Sequence, residues 1–173
     1  IAMINLSEKA LPISIATHTT IQAPFLDGAK PEDMRLMVPI GKRCELNDRC
    51  LPTERLLDLK LSDLEYKNGT KCPVLQNLDN DMYQAEAGKL DGQDFYGAIV
   101  EDEPSGRKIC YEVSPEYKFW IIWNDKGFNG YFCPEPMTAM IDAPNLNLPP
   151  EVTGYQELRP HCAFEANQRF FTV

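Results

Sequence analysis

The strongest pattern in the chain is the run Tyr117-Lys118-Phe119-Trp120-Ile121-Ile122-Trp123. Tyr117, Phe119, Ile121 and Trp123 fall on one face of an extended strand, Trp120 and Ile122 on the other. A strand apolar on both faces predicts a central position in a covered sheet. Ile13-Ser14-Ile15 alternates apolar and polar, as a strand with one solvated face does. Phe95 to Val100 and Lys108 to Val113 read as strands. The segment from Asp102 to Arg107 between them contains Pro104, Ser105 and Gly106, all turn formers, so the three pieces predict a β-hairpin. The final run, Phe164 to Val173, also reads as strand.

Helical signals are sparse. Pro52 to Leu57 offers a capping residue at Thr53, and Ser62 to Tyr66 has the length of one turn; both predict short helical connectors. Asp142 to Pro150 carries three prolines and reads as irregular loop. Short strands with turn signals between them predict a mainly β, antiparallel sandwich or barrel.

Composition narrows the picture. The chain has 173 residues and is 43% hydrophobic, enough for one well-packed core, so residues 1–173 are read as a single domain. Its net charge is −9, with 26 acidic against 17 basic residues. That balance argues against nucleic acid or an anionic membrane as partner, since both require clustered Lys and Arg. It leaves open a neutral small molecule and a homodimer. No apolar run has the length of a bilayer span, and the start, Ile1-Ala2-Met3, shows no export signal, so the expected location is cytoplasmic. Because Ile1 is not an initiator Met, the sequence reads as beginning part-way through a longer product. The six cysteines form no CxxC pair and match no zinc spacing; they are read as reduced thiols, with no metal and no cofactor expected. Asn68-Gly69-Thr70 is read as a turn rather than a glycosylation site.

Three segments carry candidate chemistry. His18 lies among Thr17, Thr19 and Thr20 after a strand-like segment, where an imidazole suits proton transfer or a hydroxyl partner. Asp79, Asn80 and Asp81 put two carboxylates and an amide together, and carboxylates accept hydrogen bonds from adjacent hydroxyls. Glu135 stands between Pro134 and Pro136, in what reads as a stiff loop that loses little entropy on binding.

Four segments, in order, resemble the aldose 1-epimerase (galactose mutarotase) family. Glu135-Pro136-Met137-Thr138 followed by Asp142-Ala143-Pro144-Asn145 resembles its "EPMT…DAxN" signature. Leu11-Pro12 with His18-Thr19-Thr20 resembles its "HxxF" loop, with Ile21 where the Phe is expected. Leu78-Asp79-Asn80 and Tyr83 resemble its sugar-binding "LDxxY/F" segment with one extra residue, and Leu158-Arg159-Pro160 its "LxPGE" strand. The resemblance is to the C-terminal part of that family and implies an incomplete copy of a galactose mutarotase-like (supersandwich) antiparallel β-sandwich.

The resemblance also implies a reaction and roles. A hexose would pass between α and β anomers by acid/base ring opening, without cofactor or metal. By position His18 is the acid, and Asp79, with Asp81 as runner-up, the sugar-binding carboxylate; Glu135 is read as a further substrate contact. The family's base is the Glu of "PGE", but Pro160-His161-Cys162 puts Cys162 at that place. A thiol is a base only as thiolate, a small fraction at neutral pH. His161 is therefore the expected substitute base, with Glu165 and Glu135 as other candidates. Glu165 lies an odd number of residues after Cys162, on the opposite face of a regular strand. The alternative is a mutarotase-like protein that binds carbohydrate without turnover.

Overall fold

The computed structural model describes residues 1–173. Two antiparallel sheets dominate it. The larger has six strands in the order Ile21–Gln22, Tyr131–Met137, Phe119–Trp123, Asp81–Ala85, Ile40–Leu46, Pro52–Leu57. The smaller has four, in the order Gln168–Thr172, Arg107–Val113, Gly97–Asp102, Met34–Met37. Three two-stranded ribbons complete the β-structure: Ala2–Ile4 with Ala163–Glu165, Leu11–Ile13 with Gln156–Leu158, and Gly88–Leu90 with Gln93–Phe95.

The main core fills the space between the two sheets. Trp120, Ile122, Tyr83 and Phe132 point into it from the larger sheet; Leu36, Ala98, Val100, Tyr111 and Val113 meet them from the smaller. Each large apolar side chain buried there contributes about 1.5–3 kcal/mol. The opposite face of the larger sheet is covered too. Cys44, Met82, Phe119, Ile121 and Met137 form a second cluster with Ala139, Met140 and Ala143 of the following segment. Phe119–Trp123 is thus central and packed on both faces, as its two apolar faces require. The expected hairpin is present: Gly97–Asp102 pairs with Arg107–Val113, and Ser105 N–H and Gly106 N–H donate to Asp102 at the turn.

Three expectations need correction. Pro52–Leu57 is an edge strand of the larger sheet, not a helical connector. Thr53 does not cap a helix; its hydroxyl donates to Glu45 on the neighbouring strand, and Arg55 pairs with the same carboxylate at 3.1 Å. The helix expected as one turn over Ser62–Tyr66 runs from Leu61 to Asn68. Asp63 caps it by accepting from Lys60 N–H at 2.8 Å, and Gly69 ends it in the left-handed region at φ 67°.

The third correction concerns Gly130–Thr138. Tyr131–Met137 is a strand, despite two prolines. Phe132 pairs with Ile21, and the Pro136 carbonyl accepts from Thr17 N–H, so the even-numbered residues turn their backbone polar groups toward the short edge segment. Cys133, Glu135 and Met137 keep their N–H groups for the Phe119–Trp123 side. The prolines therefore lack donors only where the edge is short, which is where a sheet tolerates them.

Candidate active site

The edge segment Ile15–Ala23 runs antiparallel to Gly130–Thr138 without a change of register. Ala16 faces Met137, and Ile21 faces Phe132 five residues further along each strand. His18 must then face Glu135, and Thr20 must face Cys133. Cross-strand partners share a face and lie within reach of each other. The side chains agree: His18 Nε2 is 3.2 Å from Glu135 Oε1, and Thr20 Oγ1 is 3.4 Å from Cys133 Sγ.

Trp123 pairs with Cys133 on the next strand, so its side chain is on this face as well. Its indole meets the His18 imidazole edge-on, with ring centroids 5.8 Å apart. His18 is 60% exposed and Glu135 is 16% exposed. Burial raises the proton affinity of Glu135 above that of an ordinary carboxyl, and the neighbouring imidazole offsets part of the rise. Burial likewise pushes up the Cys133 thiol.

The opposite face of the same edge segment explains why it holds its place. Thr17 and Thr19 alternate with His18 and point toward the smaller sheet, where both hydroxyls meet Tyr111 Oη at 3.0 and 3.1 Å. Gln168 extends the network by donating to Thr17 Oγ1 and to Tyr117 Oη. Of the three threonines, two anchor the strand to the core and one sits beside the site.

The carboxylates expected from Leu78 to Tyr83 are placed elsewhere. Met82 shares a face with Ile121 and Glu135 through direct pairing, so Asp81, its neighbour in the strand, projects to the other face and pairs with Arg43 at 3.4 Å. Asp79 is exposed, precedes the strand and makes no side-chain hydrogen bond. His161 lies in an exposed turn, with Nε2 3.2 Å from Glu8 Oε1. The Cys162 carbonyl accepts from Asn5 N–H, and its side chain is a free, half-buried thiol. Glu165 pairs with Ala2 at the far edge. The structure thus unites His18 with Glu135 and leaves the other expected residues outside that contact. Sequence reasoning missed Cys133 and Trp123; once Tyr131–Met137 is known to be a strand, the spacing of two between Cys133 and Glu135 puts both on one face. The largest cavity, about 580 Å³, is lined by residues such as Pro115, Glu151 and Tyr155 and does not include the pair.

Two facing antiparallel sheets, with an imidazole–carboxylate contact on the outward face of the larger one, define a mainly β sandwich. The family model for aldose 1-epimerase matches residues 1–170, and the chain belongs to that family. It is similar to a galactose mutarotase-like protein from Clostridium acetobutylicum, with 29% identity, a TM-score of 0.94, and coverage of 99% of this chain and 51% of that one. An Escherichia coli K12 protein provisionally assigned as an aldose 1-epimerase matches with 17% identity and a TM-score of 0.71, over 99% of this chain and 54% of its own. An aldose epimerase homologue from C. elegans matches with 15% identity and a TM-score of 0.62, over 94% and 52%. The last two show the shared fold. The chain spans about half the length of these structures. No helix is long and apolar enough to cross a membrane.

Proposed function

We propose that the His18–Glu135 pair binds the anomeric edge of a hexose and interconverts its anomers, with His18 as the acid and Glu135 as the base. The observation that carries the reading is the direct cross-strand contact of the two groups at 3.2 Å. In a cyclic sugar the ring oxygen and the anomeric hydroxyl share one carbon, so an acid and a base that touch each other suit them. His18 Nε2–H donates its proton to the ring oxygen. Glu135 accepts the proton of the anomeric hydroxyl. The bond from the anomeric carbon to the ring oxygen breaks, leaving an aldehyde and a new hydroxyl; rotation and reclosure on the other face return both protons. Burial raises the proton affinity of Glu135, so its carboxylate is a stronger proton acceptor than an ordinary one. Asp79, exposed just before the strand Asp81–Ala85, is available as a hydroxyl partner, and a cytoplasmic setting fits such a substrate.

A second reading has its own support. Cys162 stands where the resemblance places the base, while the carboxylate that His18 meets is that of Glu135. On that reading the protein binds carbohydrate without turnover. Polarimetry of freshly dissolved hexoses, run beside calorimetry, separates the two. Accelerated mutarotation that is lost in His18→Gln supports catalysis. Saturable binding at the spontaneous mutarotation rate, with activity gained in Cys162→Glu, supports the binding module and refutes catalysis by the pair.

A further inference from the structure

The face that carries His18 and Glu135 also carries a thiol. The unbroken register puts the Cys133 and Glu135 side chains two residues apart on one strand and the His18 side chain on its neighbour. His18 nitrogen, Cys133 Sγ and a Glu135 oxygen all lie within 4.8 Å of one another. The nitrogen and the carboxylate oxygen are 3.2 Å apart. Two ligands of a tetrahedral ion, each about 2 Å from the metal, stand about 3.3 Å apart, so this edge is already set. The sulfur closes the remaining gap by a side-chain rotation on a strand fixed by pairing to two neighbours.

The donor types select the ion. Magnesium and calcium take oxygen ligands, whereas thiolate with imidazole suits zinc and similar ions. We infer that His18, Cys133 and Glu135 form a binding site for a thiophilic divalent cation such as zinc, with three protein ligands and a fourth position open to solvent. Three protein ligands with one open position mark exchangeable or reactive zinc, not the closed four-ligand structural kind. Cys133 is fully buried, so the ion enters past the exposed imidazole of His18. On binding, the metal–sulfur bond replaces the thiol S–H bond and the metal–nitrogen bond replaces the Nε2–H bond of cationic His18, and both protons leave to solvent. His18 coordinates through the Nε2 lone pair with its proton on Nδ1, and Glu135 coordinates as carboxylate; nothing is oxidised or reduced. The cysteine spacings give no hint of the site because two of its ligands are not cysteines and one comes from a distant part of the chain.

The site does not depend on the sugar chemistry, although it uses the same two residues. If both hold, zinc removes the acid's proton and the base's lone pair together and inhibits mutarotation. Cobalt(II), which takes zinc sites and is coloured, is the probe. Titrated into the reduced protein, it should give a sulfur-to-cobalt charge-transfer band and the intense visible bands of tetrahedral cobalt, saturating at one equivalent and bleached by one equivalent of zinc. The bands should persist in Cys50→Ser/Cys162→Ser, which removes an exposed and a half-buried thiol. Adding Cys133→Ser should abolish the charge-transfer band. His18→Gln, at an exposed position that does not threaten folding, should weaken cobalt binding at least about tenfold, the loss that even outer-shell partners produce. No tetrahedral spectrum in the unmodified protein would overturn the inference, as would an unchanged affinity in His18→Gln. A normal cobalt spectrum in a protein without mutarotase activity would leave the metal site standing and remove only the sugar reading.

Discussion

Tyr111→Phe isolates the contact that holds the His18 strand against the core. Tyr111 is fully buried, stacks on Phe170 at 4.3 Å and meets Trp120 edge-on at 6.1 Å. Phenylalanine keeps those ring contacts and loses only the hydroxyl, which bridges Thr17 and Thr19. Thr17 retains Gln168 as a donor, while Thr19 loses its one partner. Leaving a fully buried polar group unpaired costs about 1–3 kcal/mol. Both threonines are half-buried, so water recovers part of the loss and the expected cost lies near the lower end, about 1–2 kcal/mol. For a chain of this size that corresponds to a fall in Tm of about 2–8 °C. Calorimetric melting of Tyr111→Phe, Thr19→Val and the double variant gives the coupling. The double variant should cost clearly less than the two single changes together, because they remove the same bond. Strict additivity, or a Tyr111→Phe variant as stable as the parent, would refute the anchoring role.

Two other outcomes follow from burial on the same face. Glu135 has a raised native proton affinity, so the native state binds the proton more tightly than the unfolded chain. Its contribution is fully present below the ordinary carboxyl pKa and is lost as pH rises through the raised native value. Glu135→Gln should therefore be more stable than the parent at neutral pH, with the gain vanishing in acid; urea unfolding across that pH range checks the sign, and a loss of stability at neutral pH would contradict it. Native alkylation followed by mass spectrometry should modify exposed Cys50 first and spare Cys44, whose thiol is pushed up to about 12 by burial; equal labelling of the two would contradict the packing.

The parts of this fold that can be read from sequence are those fixed by local pattern. The two apolar faces of Phe119–Trp123 announce a central strand, and Pro104, Ser105 and Gly106 announce the hairpin turn. Pro52–Leu57 misleads because Thr53 and Glu54 are good residues for a helix start. Its state is decided by pairing with Ile40–Leu46 across a bulge, and Glu54 adopts φ 69° there. The Pro134–Glu135–Pro136 triplet misleads in the opposite sense, because proline is excluded from strands only where its missing donor faces a partner. His18 and Glu135 were each recognisable as candidates. Their contact was not, since it depends on the register between segments more than a hundred residues apart. The same holds for Asp81: one residue of strand parity decides that it points away from Glu135.

In the proposed reaction the touching imidazole and carboxylate move the two protons of ring opening. NMR saturation transfer between the α and β anomers of a hexose, with the parent protein and with His18→Gln and Glu135→Gln, measures that step directly. Exchange in the parent should be faster than the spontaneous rate. Each variant should lose about 10²–10⁴-fold of the acceleration, the usual contribution of a positioned acid or base, while staying folded. An accelerated exchange that survives both substitutions would contradict it.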